Sequence, residues 1–333
     1  MSSRRPRVIR PFLPAVDYPA LAELLSAEGA VAVTAAELRE RDAVLPDADA
    51  LSTDRRGRLT GHGRVRLVQP GPSGDLLAYA TAWRAPWTPP GDLASLAVSA
   101  PGRAPAWMLP LYDGLERWAR GIGASRLLGE LPDEAAESEP VHGTCRSDLT
   151  GLLLGRGYRV DAHVRSAVAP LGAHLPAPRV PPGLRLGTLA GTTAAEPERQ
   201  LHHLYRETLR DNPGFADALP DFERWRAEAL DGPGGRPDWV FTAESMGRIV
   251  GASIVHAVPD PRACRIDYTG VLRPWRGRGL ARALKLHAAR HLAGHGVRTA
   301  HTEVEAGNVP MVAVNTALGY RWGPGHRRLV KEF

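Results

Sequence analysis

The chain repeats itself, and this limits its fold more than any other feature. Each half opens with a short strand pattern, "RVIRPFL" or "LRLGTL". Two helical patterns follow. In the first half they are "VDYPALAELLSAEG" and "TAAELRERDAVL", and in the second "EPERQLHHLYRETLRD" and "LPDFERWRAEAL". Thr34 and Glu37 have capping-box spacing at the second of these starts. A strand pair comes next, turning in the second half near Met246-Gly247. Each half then runs strand, loop, long helix, further strand and helical turn, and reaches Gly-Tyr-Arg at Gly157-Tyr158-Arg159 and Gly319-Tyr320-Arg321. At 333 residues the chain is too long for one ordinary core and long enough for two. The expected fold class is α/β: two tandem related domains, each a mixed, mostly antiparallel sheet flanked by helices. The Pro- and Gly-rich stretch "APLGAHLPAPRVPPG" separates them. The expected boundaries are a first domain over 1–170, a linker over 171–183 and a second domain over 184–333.

Composition excludes several classes. Hydrophobic residues make up 43% and charged residues 23%, as in ordinary globular proteins. The net charge of +6 is carried almost wholly by Arg, interspersed with Asp and Glu rather than clustered, so no nucleic-acid partner is expected. Cys145 and Cys264 are too few for a disulfide framework or a thiolate zinc set, so no metal is expected and a reducing cytoplasm fits. No apolar run approaches about 18 residues, so no membrane partner is expected. "MSSRRPRVIRPF" has no apolar segment after its basic residues, so it is not read as a secretory signal.

The halves differ most at one loop. "RIDYTGV" reads as a strand, and Leu280, Leu284, Leu286 and Leu292 recur at roughly helical spacing. Between them lies Arg276-Gly277-Arg278-Gly279. A strand, a glycine-rich loop and a helix N-terminus form an anion site, because backbone N–H groups and the helix dipole converge there. Arg276 and Arg278 add two positive charges. The loop is therefore read as a holder of phosphate groups. Aligning Val98 with Val271 places "RAPAWM" over it, from Arg103 to Met108. Ala104 and Ala106 replace the glycines, Pro105 has no N–H, and Trp107 and Met108 are bulky. The first domain is expected to have lost the site.

These motifs resemble the GCN5-related N-acetyltransferase (GNAT) family. Its Arg/Gln-x-x-Gly-x-Gly/Ala signature is matched by Arg276, Gly279 and Ala281, and its later Asn and Gly-aromatic step by Asn308 and Gly319-Tyr320. The resemblance covers 184–333. In layout the chain is similar to the family's tandem proteins, a group that includes mycothiol synthase. The resemblance implies acetyl-CoA, or another acyl-CoA, as co-substrate. Gly277, Arg278, Gly279, Leu280 and Ala281, with Arg276, would hold its pyrophosphate. Val271, Leu272 and Arg273 would pair with its pantetheine arm as an added strand does. Asn308, Met311 and Asn315 would complete the cofactor-binding set. The implied reaction is N-acyl transfer to a small-molecule primary amine by direct attack. The expected assembly is a monomer with an internal pseudo-dimer of domains.

The catalytic residues are less determined. Strand alternation puts Arg265, Asp267, Thr269 and Val271 on one face, which makes Asp267 the first candidate base. Glu303, which shares a face with Glu305 and His301, is the second. Asp211, Asp217 and Asp221 border the expected acceptor side and suit either an amine or solvent. Asn315 stands where many family members have an acidic Tyr, and an amide cannot act as an acid. A non-catalytic acyl-CoA binder, an O-acyltransferase and an acyl-CoA decarboxylase therefore remain open on sequence alone.

Overall fold

A computed structural model describes residues 9–28, 32–43, 50–85, 88–99, 107–132, 146–172, 175–211, 219–232 and 234–333. In chain order the regular elements begin with β1 (Arg10–Pro11), α1 (Pro14–Glu28), α2 (Ala35–Ala43), β2 (Ala50–Thr53), β3 (Leu59–Pro70) and β4 (Leu76–Arg84). There follow β5 (Asp92–Ser99), α3 (Leu109–Gly121), β6 (Arg126–Pro132), α4 (Arg146–Gly155) and β7 (Arg159–Pro170). The second half supplies β8 (Arg185–Thr188), α5 (Pro197–Leu209), α6 (Phe222–Ala229), β9 (Val240–Ser245), β10 (Arg248–Ala257) and β11 (Ala263–Val271). It ends with α7 (Leu280–Gly294), β12 (Thr299–Glu305), α8 (Val309–Ala317), β13 (Arg321–Trp322) and β14 (His326–Glu332). The expected α/β order holds in both halves; β2 and β14 carried no signal in the sequence reading.

The chain forms two compact units, Met1–Ala162 with His326–Phe333, and His163–Gly325. The division therefore falls inside β7 rather than at 171–183, and the last eight residues return to the first unit. In the first unit the strands run β1-β3-β4-β5-β6-β14, with only β5 and β6 parallel. α3 lays Leu111, Leu115 and Ala119 on Ala78, Ala80 and Ala82 of β4. α1 packs with Val68 and Tyr79 in a separate apolar cluster. The Thr34–Glu37 capping box is present: the Thr34 N–H donates to Glu37 Oε2 (2.8 Å) and the Glu37 N–H to Thr34 Oγ1 (3.2 Å).

In the second unit residues 163–170 of β7 begin the order β7-β12-β11-β10-β9-β8, with only β11 and β12 parallel. Alternation on the central strands divides the core. Phe241, Ala243, Cys264 and Ile266 face α7, whose Leu280, Leu284, Ala288 and Leu292 form one apolar stripe. Val240 and Ile254 face α5 and α6 through Leu201, Leu204 and Trp225. Met246 (φ 47°) and Gly247 (φ 74°) make the expected tight turn between β9 and β10. The segment after β7 is anchored at Leu171, which is buried in the α7 core and whose N–H donates to the Arg298 carbonyl (2.7 Å). Just before β14, a Cβ on Gly325 would collide with the Val164 carbonyl oxygen, so only glycine lets the chain pass there.

Leu329 and Val330 of β14 are buried in the first unit. Leu329→Ala should therefore cost about 2–5 kcal/mol. Urea unfolding checks this, and the loss should appear in the unit whose sheet β14 completes, although the mutation lies at the other end of the sequence.

Candidate active site

The loop after β11 is a single 3-10 turn, Arg273–Trp275, followed by two left-handed glycines, Gly277 (φ 74°) and Gly279 (φ 78°). Gly279 is the N-cap of α7, and no side chain caps that end. A Cβ at either glycine would meet nothing within 4 Å, so the space above the backbone is open. Side chains there would still be strained by the positive φ. Leu280 is buried and fastens the first turn, with Ala281 packed beside it. The two arginines differ from the sequence reading. Arg276 Nε donates to the Val271 carbonyl (2.8 Å), and its Nη2 lies 2.6 Å from Asp211 Oδ2. Arg273 Nε also donates to Asp211 (3.2 Å). Hydrogen bonds from Arg273 and then Arg276 hold the Asp211 carboxyl down at about 2. Arg276 thus braces the loop, while Arg278 lies over the Trp275 ring at 5.2 Å. The loop expected in the first half is described only from Trp107, since 100–106 lie outside the described residues. There α3 is entered through Met108, which is buried and right-handed (φ −83°).

Next to the loop the sheet opens. β11 and β12 pair from Ala263↔Thr299 to Ile266↔Thr302 and no further. Thr302 Oγ1 donates to the Ile266 carbonyl (3.0 Å) at the vertex. Beyond it β12 continues on β7 to Glu305, and β11 continues on β10 to Val271. Residues 267–271 thus present an unpaired strand edge, which can accept an extended ligand.

A β-bulge sits at the same place. Ile254 pairs with Tyr268, but Val255 pairs with Ile266, leaving Asp267 as the extra residue. This overturns the expected parity. Val271 faces α7 with Cys264 and Ile266, whereas Arg265 and Asp267 face the opposite side with Tyr268. Asp267 is also fully engaged. Its Oδ1 lies 2.5 Å from Arg265 Nε, its Oδ2 accepts from Arg265 Nη2 (3.0 Å), and it is bonded to His256 Nδ1. Burial works to raise its pKa, but the bonds from His256 and Arg265 outweigh it and hold the carboxyl below its ordinary range. The Asp267 bond raises the His256 imidazole against burial, and His256 Nε2 meets the Ala229 carbonyl at 3.0 Å. Glu303 stands just past the vertex on the exposed face of β12, with Ser166 Oγ donating to it at 3.3 Å. His301 and Glu305 lie on that face too.

α8 follows β12 and touches α7. The Asn308 side chain is its N-cap and accepts from the Met311 N–H (3.3 Å), so it serves the helix directly. Asn315 is fully buried, and neither its Oδ1 nor its Nδ2 has a hydrogen-bond partner. Two orphaned amide atoms cost free energy unless a ligand satisfies them. Tyr268 donates to or accepts from Thr208 Oγ1 (2.6 Å), and burial raises its phenol and that of Tyr320. Among the expected acceptor-side acids, Asp211 holds arginines, Asp221 caps α6 by accepting from the Arg224 N–H (3.0 Å), and Asp217 lies outside the described residues.

A sequence model of the Acetyltransferase (GNAT) family matches residues 199–320. The mycothiol acetyltransferase of Streptomyces bingchenggensis is 30% identical over 278 residues, 80% of each chain. The chain belongs to the GNAT acetyltransferase family. A second mycothiol acetyltransferase, from Thermobispora bispora, is 30% identical over 304 residues, 86% of this chain and 96% of the relative. Among solved structures, a GCN5-related N-acetyltransferase from Sphaerobacter thermophilus superposes with a TM-score of 0.69 at 21% identity, covering 98% of this chain and 96% of that one. A tandem GNAT protein from the clavulanic acid biosynthesis pathway gives 0.64 at 16% identity, covering 98% of each. These two show that the fold is the tandem GNAT fold.

Within this acetyltransferase, sequence reasoning missed three contributors. Asp211 was read as an acceptor-side acid, not as the brace of the loop. His256 carried no motif. Lys285 lies on the buried side of α7, close in register to Leu284 and Ala288, where a lysine is itself a signal. Among the described residues no group of three or more His, Cys, Asp or Glu could hold a metal, and no helix is long and apolar enough to cross a membrane. The His256–Asp267 bond has a direct test. His256 should titrate above 6.5 by NMR and fall back toward 6.5 in Asp267→Asn. Because the folded value is raised, the stability it contributes is full below about 6.5 and is lost as pH rises through the folded value.

Proposed function

We propose that this GNAT acetyltransferase moves an acetyl group from acetyl-CoA to a primary amine of a small molecule by direct attack. The observation that carries the reading is the parting of β11 and β12 beside an uncapped helix start entered through two left-handed glycines. Backbone N–H groups of residues 277–281 suit the pyrophosphate, with Arg278 as the nearby cation. The free edge at 267–271 suits the amides of pantetheine, and it replaces the expected 271–273 as the pairing segment. The orphaned Asn315 amide fits a polar ligand that fills the cleft. The curated relatives are named for mycothiol, so mycothiol lacking its acetyl group is the acceptor to test first.

Of the two carboxylates, Glu303 is the better base. Asp267 is held ionised by His256 and Arg265, and a carboxylate with a lowered pKa takes a proton poorly. Glu303 stands just past the vertex on the exposed face of β12, where Ser166 Oγ donates to it. Asp267 then sets the bulge, which turns backbone N–H groups near Tyr268 toward the place where an oxyanion forms.

Gly279→Asp tests the loop. A carboxylate there meets the pyrophosphate, and calorimetry should show acetyl-CoA affinity down more than a hundredfold, with the circular dichroism spectrum unchanged. A drop of less than tenfold would mean that the phosphates bind elsewhere. Residual binding of one full equivalent would instead reveal a second site in the first unit. Glu303→Gln should lower turnover at neutral pH by about 10²–10⁴-fold, with much of the loss recovered at high pH where the acceptor amine is already neutral. Asp267→Asn should have the smaller effect; the reverse order would return the base to Asp267.

A further inference from the structure

Lys285 is only 3% exposed, yet no carboxylate accompanies it among the described residues. Its ammonium lies over the Tyr320 ring, 4.8 Å from the centroid, and Cys264 on β11 is the other titratable group beside it. Burial pushes the lysine down to about 7 and the Cys264 thiol up to about 12. A lone buried cation destabilises a fold. The first repeat gives a comparison within the same chain. The alignment that sets Val98 over Val271 sets Tyr112 over Lys285, and the Gly-Tyr steps set Leu153 over Asn315. In the first unit Tyr112 meets Tyr158 edge-on at 6.0 Å, and Leu153 is buried in the same apolar cluster. The Lys331 ammonium lies over the Tyr158 ring at 5.3 Å, but there it is paired with buried Glu116 (2.7 Å), the partner that Lys285 lacks. The polar pair occurs only in the repeat that carries the glycine loop.

Lys285 lies beside Cys264 on the α7 side of β11. Cys264 is two residues short of Ile266, where the strands part, or about 7 Å of strand. The Tyr320 N–H donates to the Asn315 carbonyl (3.1 Å), so the ring beneath the lysine is tied to the turn of α8 that carries the orphaned amide. A flexible four-carbon stem lets the amine approach the vertex from the α7 side.

We propose that Lys285 is the proton donor to the departing thiolate, in place of the tyrosine that α8 lacks, and that Asn315 orients the sulfur. The proposal rests on the acyl-CoA reading above. In the step, the acceptor nitrogen bonds to the thioester carbon and the C–S bond breaks with its electron pair on sulfur. The Lys285 ammonium gives that sulfur a proton. The surplus proton of the attacking amine leaves through Glu303 or water, and solvent reprotonates Lys285. A group that titrates near neutrality can both give and regain a proton at that pH.

The test uses the whole chain and Lys285→Met, with Asn315→Leu as the second variant. Calorimetry of wild-type protein with CoA comes first; no binding would sink the acyl-CoA reading and this proposal with it. If CoA binds, the bound thiol is titrated by its thiolate ultraviolet absorbance. It should ionise at lower pH on wild-type protein than free in solution, and this shift should vanish in Lys285→Met while CoA affinity changes less than threefold. Identical titrations in both proteins would overturn the proposal. Melting temperatures give a readout independent of CoA. The folded lysine sits near 7 and the unfolded one near 10.5, so the unfolded chain binds more protons between these values. Wild-type stability should rise with pH across that window. Lys285→Met should melt several degrees higher at pH 7, with the gain fading toward pH 10.5. A variant no more stable at pH 7 would show that the lysine is not held as a buried, strained cation and would also overturn the proposal. Asn315→Leu should likewise melt higher, while binding CoA about tenfold more weakly.

Discussion

Everything in the second unit is organised around one separation of backbone. β11 and β12 stay paired through Ile266 and Thr302, and the Thr302 hydroxyl bonds back to the Ile266 carbonyl at the last step. Past that point each strand keeps its other neighbour, so neither loses its place in the sheet. A parallel pair that parts inside a sheet exposes N–H and C=O groups that are unpaired until a ligand arrives. The bulge at Asp267 belongs to the same feature. It turns β11 by one residue where pairing fails, and His256 and Arg265 hold the extra residue in position.

The loop follows from that geometry. β11 ends at Val271 beside the opening, and the chain must reach the start of α7 within a few residues. Two positive-φ glycines make this turn without a Cβ over the backbone. The turn is braced from below, because Asp211 at the end of α5 gathers Arg273 and Arg276. Arg276 also ties to Val271, so the loop and the strand end move as one body. The positive charge that two arginines suggest is thereby partly neutralised, so the pyrophosphate site proposed here draws more on backbone N–H groups.

The two units solve the same packing problem differently. In the first, Tyr112 and Leu153 hold the equivalent positions, and the ammonium over Tyr158 is paired with Glu116. In the second, a lysine with no carboxylate among the described residues and an amide with no hydrogen-bond partner occupy them. Such groups are expensive where they are idle. Their presence in one copy and absence from the other follows the glycine loop, which the second repeat carries and the first replaces with Ala, Pro and Trp.

By itself the sequence determined the duplicated α/β plan, the glycine loop, the capping box at Thr34 and the turn at Met246-Gly247. Each of these is local, since hydrophobic period and glycine or cap chemistry act within a few residues of chain. The family resemblance set Asn315 at the position where many members carry a tyrosine, by counting along one helix. Tertiary structure alone decided the rest. Alternation predicted the wrong face for Val271, since a bulge is a property of two strands and not of one. Asp267 read as the first candidate base because its partner His256 lies on a neighbouring strand. The unit boundary fell inside β7, and residues 326–333 joined the first unit, because strand pairing is a long-range choice that a Pro-rich stretch does not reveal. Lys285 was one basic residue among many until the fold buried it, and burial without a counter-charge is what makes a lysine chemically distinct.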